Sequence, residues 1–356
     1  MDRRAVAVLS VAVVVGLGAG AGTALRVGVD DAGRGDDQRA SPAASTATST
    51  AARTVDPLWT TTTELHDGDT VVELEGVGFV TALRRSGDHW IVQDVPEGRG
   101  EEVSPRVLRV DRDGRVIVLA EVAGAGDVDD AGTRHVGIAP DGRTYQVTDL
   151  ASGDTTRLPR PGGVAGPNGT SAFVDGDVVT GWNGTGTTYH RSAVDGTGRE
   201  VVGRSVEDAR FSADGRSYVG LQVGLDEDCV VGGPAGDGPG DGPGRADQWR
   251  HCPGSLAASS PYAPDGERLV APVLRRGEGH PERADVLDAA TGELVASVPL
   301  PDDVFDVALL GPALLEVMVV TGPDGDQVTT VHTCDLSGDC TVAGSAEGVA
   351  VLGDAG

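Results

Sequence analysis

One phrase, written three times, constrains this chain more than any other feature of it. The stretches "IAPDGRTYQV" from Ile138, "FSADGRSYVG" from Phe211 and "YAPDGERLVA" from Tyr262 share one order. An apolar residue comes first, then a small residue or Pro, Asp-Gly, two mostly polar positions and alternating apolar residues. Asp-Gly supplies the positive backbone dihedrals of a two-residue hairpin turn, and the alternation after it is the period of a half-buried strand. The phrase therefore predicts strand, tight turn, strand. Looser copies surround Asp67, Asp113, Asp175 and Asp324, and complementary hairpins carry Ser-Gly or Thr-Gly after Asp149, Asp288 and Cys334. From Val77 onward no amphipathic helix of four turns can be drawn.

Strand pairs that recur every ~30–50 residues point to radially repeated sheets, and a β-propeller blade has this size. The expected fold class is all-β, a propeller whose units start near Val77, Gly132, Val164, Val206, Leu256 and Asp302. A last blade would combine "AEGVAVLGD" at the carboxyl end with "LWTTTTELHDGDTVVEL" from Leu58, closing the ring and removing its open sheet edges. That makes seven blades; the short unit after Gly132 leaves six open.

The three phrases, together with "DAATGELVASV" from Asp288, resemble the blades of exported bacterial WD40-like propellers, a group that includes the TolB-like and YVTN-type repeats. The resemblance covers Leu58 to Gly356 as an architecture. Its motifs are turn signals, so it implies a fold and no cofactor, ligand or site. The paired Gly-His and Trp-Asp signature of eukaryotic WD40 repeats is absent, and with it any expectation about the partners of that group.

Composition narrows the partners. The formal charge is -27, with 55 Asp and Glu against 28 Lys and Arg. Nucleic acid is excluded for the folded part, because phosphate binding needs clustered cations; docking on anionic lipid surfaces is disfavoured for the same reason. Every basic residue is Arg, the codon bias of a GC-rich genome such as an actinobacterial one, with a salt-adapted archaeon as the alternative. Only 3% of residues are aromatic, so the core must be built from Val, Leu and Ala.

The amino terminus supplies an address. Residues 1–4, with Arg3 and Arg4, read as a cytoplasmic flank. Residues 5–25 form an uncharged apolar stretch of the length that spans a bilayer, which places the rest of the chain outside the cytoplasm. A retained signal anchor gives a single-pass membrane protein; cleavage after the small residues of "GAGAGTA" gives a secreted one. Residues 26–55, rich in Ser, Thr, Ala and Pro, have no apolar period and read as a disordered tether. Residues 56–356 are the propeller, interrupted by a Gly/Pro-rich insertion at 230–251.

Four cysteines in an exported chain imply two disulfides. Cys334 and Cys340 flank a Ser-Gly turn, and Cys229 and Cys252 bracket the insertion, so these two pairs are expected. Zinc is the alternative, without CxxC or a His pair to support it.

Chemistry is scarce. GxSxG, a P-loop and a dinucleotide fingerprint are all absent. "DRDG" at Asp111–Gly114 opens like a calcium loop, but Val122 stands where the closing Glu belongs, so a turn is expected. The acidic runs at Asp226, Glu227 and Asp228, and at Asp127, Asp129 and Asp130, read as solvated loops. His66, His89, His135, His190, His251, His280 and His332 show no ligand spacing, although a propeller could gather one residue per blade at its central channel. Trp90 is expected to pack between blades, and Asn168 and Asn183 read as Asn-Gly turns. The reading is a non-enzymatic binding or scaffold module for an envelope component. A propeller hydrolase or lactonase, with carboxylates and a metal at the channel, is the alternative.

Overall fold

The computed structural model describes residues 55–96, 104–122, 126–129, 131–139, 144–158, 169–182, 188–198, 200–204, 206–222, 228–235, 248–257, 260–274, 280–323 and 326–353. The apolar segment 5–25, the tract 26–54, Asn168, Asn183, Asp130, Asp226, Glu227, Asp324 and residues 236–247 lie outside them. Among the described residues there is no helix.

Seven small antiparallel sheets succeed one another along the chain. After β1 (Leu58–Thr60), β2 (Glu64–Asp67) and β3 (Thr70–Glu73) comes a blade of β4 (Phe79–Ser86), β5 (His89–Val95), β6 (Arg106–Asp111) and β7 (Val116–Glu121). The next holds β8 (Gly126–Val128), β9 (Arg134–Ile138), β10 (Tyr145–Asp149) and β11 (Thr155–Arg157). Another is built of β12 (Gly169–Val174), β13 (Asp177–Trp182), β14 (Thr188–Ser192) and β15 (Glu200–Arg204). A further blade comprises β16 (Glu207–Phe211), β17 (Ser217–Gln222), β18 (Cys229–Pro234) and β19 (Trp249–His251). The sixth has β20 (Arg268–Leu274), β21 (Pro281–Asp288) and β22 (Leu294–Pro299), with Tyr262 bridged to Leu269 in place of a first strand. The seventh is β23 (Val304–Gly311), β24 (Leu314–Thr321), β25 (Val328–Asp335) and β26 (Cys340–Glu347). Finally β27 (Val351–Leu352) returns to pair antiparallel with β1, so both ends of the chain build one blade. The ring has seven blades, not six.

The blades pack face to face through short aliphatics. Leu58, Leu65 and Val72 of the closing blade share one cluster with Val80, Leu83, Trp90, Val92 and Leu108 of the next. Ile91 and Val107 meet Val128 and Leu150 of the blade after it. First strands of neighbouring blades approach one another, as β8 does β12 and β27 does β4; β11, a fourth strand, is exposed at every residue. Because first strands run the same way in every blade, one face of the ring gathers their starts and the connections between second and third strands.

The repeated phrase folds differently from its expected two-residue turn. In two copies it is a wider loop, closed by Ser212 N–H to Ser217 O and by Ala263 N–H to Arg268 O. Only the glycines, Gly215 and Gly266, take positive φ there; Asp214 does not. Its carboxylate instead accepts hydrogen bonds from Ser212 Oγ and Arg216 N–H, which holds the longer loop. The two-residue turn occurs at Asp175-Gly176, both at positive φ, between the paired Val174 and Asp177. Nor does the phrase mark one place in a blade. It joins β16 to β17, first to second strand, but β9 to β10, second to third. That displacement is why the unit expected at Gly132 begins earlier, at β8. The insertion is also narrower than 230–251, since its ends are strands β18 and β19. Glycine hid β18: a Cβ on Gly232 would lie 2.3 Å from the Trp249 ring, which occupies that space.

Candidate functional site

On the face where first strands start, two of the four phenylalanines stand exposed. Phe79 opens β4 at 62% exposure, and Phe305, second in β23, stands at 55% as the bulged residue between Val304 and Asp306. Val328 lies on the same blade edge, opposite Thr321 and Glu347. The acidic residues Asp302, Asp303, Asp326 and Glu347 are exposed around this edge. Sequence reasoning missed both phenylalanines. The signal was present, since "FVTAL" at Phe79 and "FDVAL" at Phe305 are one pattern at the head of two blades.

Carboxylates, some of them buried, brace the ring. Asp94 is fully buried; it accepts the Gly78 N–H at 2.6 Å and two bonds from Arg106 at 2.9 and 2.5 Å. Asp127 links three blades, accepting Phe173 N–H at 2.8 Å and pairing with Arg84 at 3.4 Å, while Arg84 also reaches the Val128 carbonyl. Asp129 holds its own loop through Thr133 and Arg134. The two described members of the run 127–130 are thus structural and do not share a solvated loop. Asp285 receives Ser297 Oγ at 2.6 Å, Arg283 at 3.1 Å and His251 at 2.9 Å. Burial pushes its carboxyl up, but these donors outweigh it and hold it below the ordinary range.

The histidines stay apart. His66 stacks on Trp59 and bonds Glu64; His89 bonds Asp88; His251 bonds Asp285; His280 faces the Val304 carbonyl. His190 lies in β14 and His332, half-buried, in β25. Among the described residues no three or more His, Cys, Asp or Glu are grouped to hold a metal. Asp111 and Asp113 form a turn: Asp111 pairs with Arg109 and Arg115, and Asp113 accepts Arg115 N–H. Beside it lies an open groove of about 700 Å³, lined by Val71, Glu73, Glu75, Arg112 and Val116 among others. Trp90 packs between blades, its Nε1 donating to Asp67 of the closing blade.

Among the described residues, His135 and Glu316 are buried ionisable groups with unbonded side-chain atoms, and neither carries a signal in the sequence. His135 is 2% exposed, and neither its Nε2 nor the Oγ1 of Thr148, its cross-strand neighbour, has a hydrogen bond. Burial lowers its pKa to about 4. A depressed histidine contributes stability that is complete above the unfolded value of 6.5 and lost as pH falls toward 4. That gap, at about 1.4 kcal/mol per pH unit, corresponds to about 3 kcal/mol. Substituting His135→Leu is expected to flatten the fall in Tm between pH 6.5 and 4; an unchanged slope would assign the acid sensitivity elsewhere. Glu316 is the opposite case. It is fully buried, neither carboxylate oxygen has a well-formed hydrogen bond, and burial, then the nearby Asp306, push its pKa well up against weaker help from the Leu58 backbone and Arg85. Stability is therefore complete below 4.5 and declines as pH rises above it. Glu316→Gln should remove that decline, read as Tm against pH from 5 to 8.

The structure pairs Cys229 with Cys252 and Cys334 with Cys340, with S–S distances of 2.11 and 2.06 Å. Asp228 sits beside the first bridge, where its carbonyl accepts Gly254 N–H.

No protein-family model matches this chain, and no curated protein sequence does. Solved structures similar to it include puromycin hydrolase, at TM-score 0.46 and 16% identity, covering 77% of this chain and 54% of that one. Hsv2 of Kluyveromyces lactis gives 0.49 and 10%, over 72% and 73% of the two chains. A putative TolB from Agrobacterium tumefaciens gives 0.42 and 10%, over 65% and 85%. The chain spans about half the length of puromycin hydrolase. At these identities the likeness is one of fold.

Proposed function

We propose that this chain is a non-enzymatic binding or scaffold module, displayed outside the cytoplasm on its amino-terminal apolar segment and engaging a component of the cell envelope. The observation that carries the binding reading is the exposed pair Phe79 and Phe305 on one face of the ring. Large apolar side chains left in water cost free energy, and their placement on one face, with acidic residues exposed around Phe305, suits a partner. The rigid ring beneath lets that face vary without disturbing the core. Export is supported by the two disulfides, which persist in oxidising compartments, and by residues 5–25.

Protease added to intact cells should degrade the propeller, and alkylation before lysis should find no free thiol; a protected, reduced chain would refute display outside the cytoplasm. Capture from envelope extracts on the immobilised protein should retain a component that the double variant F79S/F305S loses about tenfold, the loss typical of central apolar contacts. Equal retention by both proteins would remove this face from the reading. Non-reducing peptide mapping should join Cys229 to Cys252 and Cys334 to Cys340. A crossed pairing would contradict the registers of β17–β18 and β25–β26.

A further inference from the structure

The two disulfides occupy opposite electrostatic settings. Around Cys229–Cys252, the guanidinium of Arg250 donates from Nη2 to Cys229 Sγ at 2.9 Å and from Nε to Cys252 Sγ at 3.1 Å. Both sulfurs thus face one cation. Cys229 is fully buried, whereas Cys252 is partly exposed. Among the described residues the acidic neighbour in sequence on this side is Asp228, and His251 is turned to Asp285 of the next blade. Cys334–Cys340 likewise joins a buried cysteine to a half-buried one, but it is flanked by Asp335 and Asp339, and Cys340 Sγ turns to the Gly338 carbonyl.

We propose that Cys229–Cys252 is a thiol-exchange site, opened by a dithiol reductant, while Cys334–Cys340 is a permanent staple. A thiolate attacks the sulfur it can reach, so the incoming sulfur bonds to Cys252 Sγ. The Cys229–Cys252 bond breaks, and its electron pair leaves on Cys229 as a thiolate. Arg250 is already placed to take that negative charge in charge-assisted hydrogen bonds, which lowers the basicity of the leaving sulfur and speeds its departure. The second thiol of the reductant then attacks the mixed disulfide, releasing Cys252 as a thiolate that picks up the proton given up by that thiol. The reductant ends as a disulfide and the protein as a dithiol. At the other bridge, two carboxylates repel both the attacking and the departing thiolate.

The bond lies at a blade junction. Beside Cys252, β19 is held to the next blade by Trp249 Nε1 donating to the Ala289 carbonyl and by His251 against Asp285. Reduction therefore unlinks Cys252 from the start of β18, while the ladder of β18 with β19 and the closure of the ring by β27 and β1 remain.

The test is kinetic, on the full chain in detergent. Dithiothreitol is added, aliquots are alkylated, and each cysteine pair is quantified by peptide mass. In the native protein Cys229–Cys252 should open at least about tenfold faster than Cys334–Cys340. Arg250→Gln should erase most of that lead, Arg250→Lys should keep part of it, and neither should alter the rate at Cys334–Cys340. Arg250 is exposed on an outer strand, so folding should survive, with circular dichroism as the check. Asp339→Arg supplies an independent gain: it should accelerate opening of Cys334–Cys340. Faster opening of Cys334–Cys340 in the native protein, or an unchanged Cys229–Cys252 rate in Arg250→Gln, would overturn the assignment.

Discussion

Replacing Asp94 with alanine is expected to lower the stability of the propeller by about 3–5 kcal/mol, the cost of leaving one member of a buried ion pair behind. Three donors converge on this carboxylate: Gly78 N–H and two nitrogens of Arg106. Arg106 also spans to the Gly76 carbonyl, so the pair ties the connection between β3 and β4 to the body of its blade. Alanine would strand the Gly78 N–H and a half-buried guanidinium together. Gly78 packs tightly there, since a Cβ would lie 2.2 Å from the Val95 carbonyl. Denaturant unfolding gives the loss directly; Asp94→Asn, which keeps an acceptor for Gly78, should cost less than alanine. The effect should reach function too, because Phe79 is next in the chain after Gly78 and depends on it for position. If D94A lost less than about 1 kcal/mol, Asp94 would not be the brace described.

The architecture was legible because turns and alternation are local. The strand–loop–strand phrase, the Ser-Gly and Thr-Gly hairpins and the two terminal half-blades are each written within a dozen residues. Seven blades, the closure by β27 and β1, and the cysteine pairing all derive from such signals. What local signals could not tell is the loop type, since Asp-Gly serves equally a two-residue turn at Asp175 and the wider loop at Asp214, where the Asp side chain caps the backbone. They also could not show β18, where Gly232 breaks the strand pattern to admit Trp249.

The candidate site was less legible for a different reason. Asp94, Asp285 and Asp127 read in sequence as three carboxylates among 55 acidic residues. Apart from Arg283, two residues from Asp285 on the same strand, the partners named above lie on other strands or blades, 12 to 46 residues away, and no spacing rule connects them. Unpartnered burial is harder still. Nothing in "RHVGI" distinguishes His135 from the half-buried His89, and "LLEVMVV" conceals Glu316 within an otherwise apolar strand. Arg250 is the intermediate case. It stands two residues from Cys252, but only the pairing of β18 with β19 brings Cys229 within reach of the same guanidinium.

The closing blade is where one side chain should matter most. Trp59 is 1% exposed, stacked on His66 with ring centroids 3.7 Å apart, and packed with Ala308, Met318, Val331, Ala350 and Leu352. It thus joins β1 to β27, the strand from the other terminus, and joins both to the seventh blade. The neighbouring sheet makes room at Gly344, where a Cβ would lie 2.8 Å from the indole. Trp59→Ala is expected to cost about 3–5 kcal/mol, for lost burial and the cavity left behind. Trp59→Phe, which keeps a ring against His66, should recover a good part of it. The loss should be local before it is global. β27 pairs with β1 through two residues, Trp59 with Leu352 and Thr60 with Val351, so little else holds the ends together within that sheet. Hydrogen exchange should therefore show protection falling first at residues 58–60 and 351–352, with β20–β22 retaining theirs at the same denaturant concentration. Uniform loss around the ring would mean that the propeller unfolds as one unit and that Trp59 stabilises the whole without specifically latching its closure.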